Sequence, residues 1–100
     1  MDSAVHKARL RAAYESLQIN FEFVPGQFVK WKPNQKNATR PLYNEPAVVI
    51  EVLDLPIYDD NVDAGSPYFR QRLDIVLGVL DHEGDFVFYH FDRRRFQPYD

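Results

Sequence analysis

The chain contains no cysteine among its 100 residues. That absence excludes disulfide-linked scaffolds, zinc sites built on thiolates and cysteine nucleophiles. Long hydrophobic runs are also missing. The longest, residues 75–80, is far too short to span a bilayer, and the first residues contain no apolar core of signal-peptide length. We therefore expect a cytoplasmic protein without a membrane partner.

The sequence also lacks the common motifs of enzyme active sites. There is no nucleophile elbow, no glycine-rich phosphate loop and no His–Glu metal helix, and no serine has a base at a recognisable spacing. The three histidines, His6, His82 and His90, are scattered along the chain, and we expect His90 to be partly buried. We predict no catalytic residue, no metal site and no cofactor.

One acidic segment has the partial spacing of a calcium loop. Asp59, Asn61 and Asp63 stand at the first, third and fifth positions of such a loop. Ala64 and Arg70 then occupy the positions that need glycine and a bidentate glutamate. We interpret the segment as a solvated loop, since Asp and Asn are also ordinary turn residues.

The composition is that of a small globular domain with a mildly acidic balance. The chain has 12 Lys and Arg against 15 Asp and Glu, which gives a formal net charge of -3. This balance argues against a wholly basic nucleic-acid binder, although it permits a local basic patch. Hydrophobic residues make up 45% and aromatic residues 15% of the chain, enough to form one packed core.

The first twenty residues predict a helix. Ser3 is a suitable N-cap, good helix formers follow it, and neither glycine nor proline interrupts residues 3–19. Four apolar residues recur at helical spacing and form one stripe: Leu10, Ala13, Tyr14 and Leu17.

The remainder of the chain predicts short strands separated by turns. Alternating or apolar segments end at glycine, proline and aspartate clusters, as strands in antiparallel sheets do. We expect strands over residues 27–32, 47–53, 73–80, 86–91 and 96–99. Long loops cover 33–46 and 54–67, a hairpin turn covers 81–85, and a short stop covers 92–95.

The predicted hairpin is apolar on both faces. Ile75, Leu77 and Val79 alternate with Val76 and Leu80, whereas an antiparallel sheet in a small domain normally exposes one face to water. Something must cover the second face. We expect the helix stripe to pack there, and a homodimer interface is the alternative, so monomer and homodimer both stay open.

This element order resembles the SH3-like small antiparallel barrel of about five strands. The resemblance covers residues 21–100 and depends on Phe23-x-x-Gly26-Gln27-x-Val29, the 81–85 hairpin and the 92–95 stop. It implies a mostly β single domain in which the helix of residues 1–20 packs on the sheet. Such barrels host many unrelated activities, so the fold alone does not indicate a function.

Two families of small barrels share parts of the pattern. Gly26-Gln27-Phe28-Val29-Lys30-Trp31, Arg40-Pro41 and residues 46–50 resemble the opening of the MazF/PemK toxin endoribonucleases. That resemblance implies RNA cleavage with Arg40 as the counterpart of the catalytic arginine, although Gln27 replaces the family's aspartate. The heat-shock Q family of hemimethylated-DNA-binding proteins is similar in its Gly26-Gln27-x-Val29-x-x-Lys32 segment and in the valine-rich strand that ends at Asp54.

Positive charge and aromatic residues are segregated in two segments. No acidic residue occurs between Val24 and Asn44, and three arginines form the stop before the last strand. In an SH3-like barrel these segments flank one groove, so we predict a basic groove formed by Lys30, Trp31, Lys32, Lys36, Arg40, Tyr43, Arg93, Arg94 and Arg95.

The predicted function is a non-enzymatic interaction module. A protein or peptide partner would bind the basic groove through arginine–carboxylate pairs and aromatic contacts. A nucleic acid on the same surface is the alternative, because basic and aromatic groups also suit phosphate contact and base stacking. A MazF-like ribonuclease is the third hypothesis. Against all three, nearby aspartates could simply neutralise the basic residues.

Overall fold

The computed structural model describes residues 3–58 and 71–99. The chain begins with helix α1 and continues into five strands, with one 3₁₀ turn before the last strand. The elements are α1 (Ser3–Gln18), β1 (Phe28–Trp31), β2 (Ala47–Tyr58), β3 (Arg72–Leu80), β4 (Phe86–Phe91), the 3₁₀ turn (Arg93–Arg95) and β5 (Phe96–Pro98). The prediction of a mostly β protein with one N-terminal helix and about five antiparallel strands is confirmed. Within the described residues, no helix has the length and apolar character needed to span a membrane.

The strands form one antiparallel sheet in the order β4-β3-β2-β1-β5. β4 pairs with β3, and β5 pairs with β1, so these two strands are the edges of the sheet. The sheet is not closed, because the described residues contain no pairing between β4 and β5. The predicted barrel is therefore not confirmed, and the observed architecture is an open five-stranded sheet.

Strand β2 is longer than the sequence predicted. It was expected to end at Leu53, and it continues to Tyr58. Its pairing with β3 shifts register between Val52 and Ile57, and Pro56 lies inside this irregular stretch. A proline is tolerated there because no ladder hydrogen bond is required of it. The rest of the predicted acidic loop, with its calcium-like spacing, lies outside the described residues.

The hydrophobic core lies on one face of the sheet, which we call the inner face. Val29 and Leu77 are fully buried there, and Trp31 stacks on Phe96 with ring centroids 4.2 Å apart. The Phe91 ring meets the Trp31 ring edge-on at 5.8 Å. Aromatic packing of this kind adds stability beyond the area that it buries.

Helix α1 does not cover the second face of the hairpin as predicted. Leu10 and Tyr14, two residues of its apolar stripe, are 64% and 63% exposed, and no residue of the helix is fully buried. Hydrogen bonds from Lys32 and Gln35 to backbone carbonyls near the end of the helix hold it instead. These contacts attach the helix beside the loop that follows β1. The expectation that the stripe packs on the sheet is wrong for Leu10 and Tyr14.

Candidate partner-binding site

Two of the nine residues predicted to form the basic groove lie in the interior. Trp31 is 2% exposed, and its indole N–H donates to the Pro41 carbonyl at 2.6 Å. Both the ring and its one polar atom are occupied by the fold. Trp31 therefore presents no face on which a partner's side chain or a base could stack.

Lys32 is the second interior residue, and it caps helix α1. Its Nζ donates to the Ser16 and Ile19 carbonyls at 2.5 and 2.6 Å. The Ser16 carbonyl lies in the last turn of α1 and the Ile19 carbonyl one residue beyond it, where carbonyls lack intrahelical partners and a cation is favourable. Burial lowers the pKa of Lys32, while the negative charge of Asp92 acts in the opposite direction.

Two of the three arginines in the stop are held by buried carboxylates. The Arg93 backbone N–H donates to Asp74 Oδ1 at 2.8 Å, and its Nε lies 3.4 Å from Oδ2. Arg94 forms a two-pronged pair with Asp92, with Nη2 2.7 Å from Oδ2. This hydrogen bonding to Asp92 raises the pKa of Arg94. Both arginine side chains stay about one-third exposed (36% and 33%), so part of each remains accessible to solvent.

The third arginine joins the stop to the first long loop. Arg95 Nη1 donates to the backbone carbonyl and the side-chain Oε1 of Gln35, and the Lys32 N–H donates to the Arg95 carbonyl at 2.8 Å. The structure thus brings the start of the first loop against the stop. The contact is made by internal hydrogen bonds, which occupy Arg95 Nη1, while Arg95 Nε is buried without a partner among the described residues.

The other four predicted residues do not form one cluster, although two of them are hydrogen-bonded to each other. The Lys30 ammonium sits over the Tyr99 ring, 5.6 Å from its centroid. The Lys36 backbone N–H donates to the Tyr43 hydroxyl at 3.1 Å. Arg40 lies 3.9 Å from Glu45, which is too long for a hydrogen bond.

The outer face of the sheet carries a row of apolar residues that the prediction did not include. Phe88, Gly78, Val48 and Phe28 are directly paired across β4, β3, β2 and β1, so they share one face. Phe28 and Phe88 are each more than half exposed. A Cβ on Gly78 would lie 2.5 Å from the ring of Phe86, so that ring lies directly against the strand.

The two edges of the sheet differ in how they are protected. β5 has three residues and includes Pro98, which has no N–H to donate. β4 has six residues with neither proline nor lysine, and its register with β3 is continuous from Phe86 to Phe91. Short length, proline, lysine and bulges are the usual protections of an edge strand, and β4 has none of them. No strand among residues 3–58 and 71–99 pairs with its free side.

A cavity of about 480 Å³, which we call the β4 cavity, lies alongside the end of this edge. Tyr89, His90 and Phe91 all line it. Consecutive residues of a strand point to opposite faces, so a cavity that touches three in a row reaches both faces of the sheet at the end of β4. The remaining lining residues come from the first loop and from the start of β3: Asn37, Ala38, Thr39, Arg40, Gln71 and Leu73.

The β4 cavity has a mixed polar and apolar lining without any acidic residue. Within the described residues, the polar side-chain groups of Asn37, Thr39, Tyr89 and His90 have no protein hydrogen-bond partner. Arg40 supplies positive charge, and it is the one predicted groove residue in this lining. Free polar groups that converge on a partly apolar cavity are typical of binding sites.

Sequence reasoning missed the outer face and the β4 edge for an identifiable reason. The two-sided apolar pattern of the hairpin predicts a covered second face, with the helix as the expected cover and a homodimer interface as the alternative. His90 was expected to be partly buried, and it is exposed. The signal for the edge was the absence of proline and lysine from residues 86–91, which has meaning only once the strand order is known.

Comparison of the chain with known protein families, with curated proteins and with solved structures finds no match.

Proposed function

We propose that the chain is a non-enzymatic interaction module that binds a protein partner by accepting an extended segment along the free edge of β4. The regular, unprotected six-residue edge carries this proposal. Such an edge offers a row of backbone donors and acceptors to another strand, and main-chain hydrogen bonds then supply affinity.

The side chains around β4 favour a protein over a nucleic acid. Phe86 and Phe88 flank the edge with apolar area, which an extended peptide can cover with alternate side chains. Asp81, Glu83 and Asp85 lie in the turn that leads into β4. Their carboxylates would repel a phosphate backbone laid along the strand.

We also propose that the five-stranded sheet is an SH3-like fold. The strand order β4-β3-β2-β1-β5 and the 3₁₀ turn before β5 support an SH3-like arrangement in an open form. In this arrangement the gap between β4 and β5 is where a barrel would close. A cytoplasmic location, as the sequence predicts, is part of this proposal.

A peptide selection combined with amide hydrogen exchange tests the proposal. A library of random dodecapeptides, each displayed with a flexible linker at both ends, would be selected for binding to the immobilised protein. Exchange of each backbone amide would then be measured by NMR with and without the best peptide. We expect new protection at residues 86–91, because free-side N–H groups gain partners. Protection confined to residues 33–46 and 93–95 would overturn the edge in favour of the basic groove.

A matched pair of variants sharpens this test. Phe88→Lys places a charge on the edge strand, and Tyr14→Lys makes the same aromatic-to-lysine change on the exposed side of α1. We expect Phe88→Lys to weaken peptide binding by roughly tenfold or more, and Tyr14→Lys to leave it unchanged. Equal effects of the two variants would contradict binding at β4.

Nucleic-acid binding is the second candidate function. It is favoured by the Arg93 and Arg94 side chains, because about one-third of each is exposed and can contact phosphate. Fluorescence anisotropy of a labelled mixed RNA and DNA oligonucleotide pool at two salt concentrations tests this candidate. Binding that falls steeply with salt would support it, because phosphate contacts release counterions. A gel of the RNA afterwards tests the ribonuclease hypothesis, since cleavage that is lost in Arg40→Ala would support a catalytic role for that residue.

A further inference from the structure

The β4 cavity lies where a segment bound along β4 would reach the end of the strand. Tyr89, His90 and Phe91 form the last half of β4 and also one wall of the cavity. Arg40 and its neighbours in the first loop form another part of the lining. A strand added parallel to β4 would therefore bring its carboxyl end to the cavity.

The chemistry of the lining indicates an anionic group attached to an apolar one. Leu73, Phe91 and Ala38 supply apolar surface, while Arg40 supplies a guanidinium. The acidic groups near Arg40 leave it incompletely paired. Glu45 is 3.9 Å away, and Asp81 is near enough for Arg40 to help lower its pKa, behind the stronger effect of the hydrogen bond from the Asp85 backbone. No described carboxylate forms a hydrogen bond with the guanidinium.

We propose that the β4 cavity binds the carboxyl-terminal residue of the partner's segment, with the terminal carboxylate on Arg40 and the last side chain against Leu73 and Phe91. This inference depends on the proposed function, since it places the end of the segment that β4 accepts. A volume of about 480 Å³ accommodates a whole terminal residue. An acidic side chain of an internal residue would leave the apolar wall uncovered. The free polar groups of Tyr89, His90 and Thr39 lie around the same space and can donate to the carboxylate.

The test compares peptides that end in a free carboxylate with the same peptides ending in an amide. Random dodecapeptides fused through their amino ends to a carrier, so that their carboxyl ends are free, would be selected on the protein. The best sequence would be synthesised as the acid and as the amide. We expect amidation to weaken binding roughly tenfold, because a charge-assisted hydrogen bond is lost.

Arg40→Gln and Arg11→Gln form the matched variants. Arg11 lies on the exposed part of α1, so its replacement changes the net charge equally without touching the cavity. We expect Arg40→Gln to weaken the acid peptide roughly tenfold and to leave the amide peptide unchanged, whereas Arg11→Gln affects neither. The wild-type comparison of acid and amide stands by itself if Arg40→Gln fails to fold.

The outcomes separate this inference from the proposed function. Equal binding of acid and amide, with β4 still protected from exchange, would refute the terminal-carboxylate site and keep the edge. Binding of the acid that leaves β4 unprotected would refute both the edge and the placement argued here. If neither the free-ended nor the linker-displayed library yields a binder, the proposed function fails and this inference fails with it.

Discussion

Replacing Lys32 with methionine tests how α1 is held to the sheet. Three side-chain hydrogen bonds reach the helix backbone near its end, two from Lys32 and one from Gln35 to the Ala13 carbonyl. No residue of the helix is fully buried, and of its apolar stripe only Ala13 and Leu17 are partly buried, so these hydrogen bonds are a main part of its attachment. Lys32→Met removes two of these three bonds while keeping a long, flexible side chain in the buried site.

The expected loss follows from those two bonds. A hydrogen bond to a charged group contributes about 1.5–3 kcal/mol, so two contribute at least ~3 kcal/mol. Part of this is recovered, because burial of the ammonium is unfavourable, as its lowered pKa indicates. A net loss of about 2 kcal/mol remains. A helix of 16 residues is marginal on its own in water, so we expect it to detach and unfold.

Far-ultraviolet circular dichroism and Trp31 fluorescence measure the two parts of this prediction separately. The helical signal should fall by most of the contribution of α1, while the urea transition followed by the buried Trp31 remains cooperative. Lys30→Met is the matched control, because Lys30 precedes Lys32 on the same stretch of chain and does not touch the helix. A Lys32→Met protein with the helical content and urea midpoint of the wild type would refute the capping argument.

Three further predictions concern the buried groups and the hairpin turn. Asp74→Asn should lower the free energy of unfolding by about 1–2 kcal/mol in urea titrations, a value reduced because its arginine partners are about one-third exposed. Trp31 fluorescence should resist quenching by iodide until the protein unfolds, because the indole is 2% exposed. The Asp85 backbone N–H, followed by that of Glu83, lowers the pKa of Asp81 below its usual 3.8. The stability supplied by that carboxylate is therefore present above about pH 3.8 and lost as the pH falls through the folded pKa, so urea midpoints of Asp81→Asn should fall less steeply in acid than those of the wild type.

The sequence predicted most of the helices and strands because each is specified by the spacing of apolar residues within its own segment. The helix and the four longer strands follow from residue spacing, and the 3₁₀ turn with its Asp92 cap lies where the stop was expected. The predicted end of β2 was wrong because Pro56 was expected to break the strand. A proline is tolerated in a strand where the pairing is irregular, as it is here. Register shifts depend on the partner strand, so they cannot be predicted from the residues of one strand alone.

The candidate site was less predictable because burial of charge is decided by distant groups. Lys32 looks like its half-buried neighbours Lys30 and Lys36 in the sequence. It is buried because the end of α1 places two carbonyls within reach of its ammonium. Asp74 likewise pairs with Arg93 across 19 residues of sequence, whereas Asp92 pairs with Arg94 from only two residues away. The segregation of positive charge in the sequence therefore marked residues that form internal ion pairs and hydrogen bonds. It identified only in part the residues that are accessible to a partner.

The same reasoning indicates where binding capacity remains. A buried pair has already exchanged hydration for a fixed partner, so replacing that partner must repay the desolvation of the carboxylate left behind. The free side of β4 carries no such cost, because its backbone groups lack a partner strand within the described part of the chain. The adjoining side-chain polar groups of Tyr89 and His90 likewise have no hydrogen-bond partner within the described residues. A partner strand on β4 would satisfy the edge and cover Phe88 at once, whereas a partner on the arginine stop would compete with Asp74 and Asp92 for the donors that they already hold and would find only the exposed third of Arg93 and Arg94 open to it.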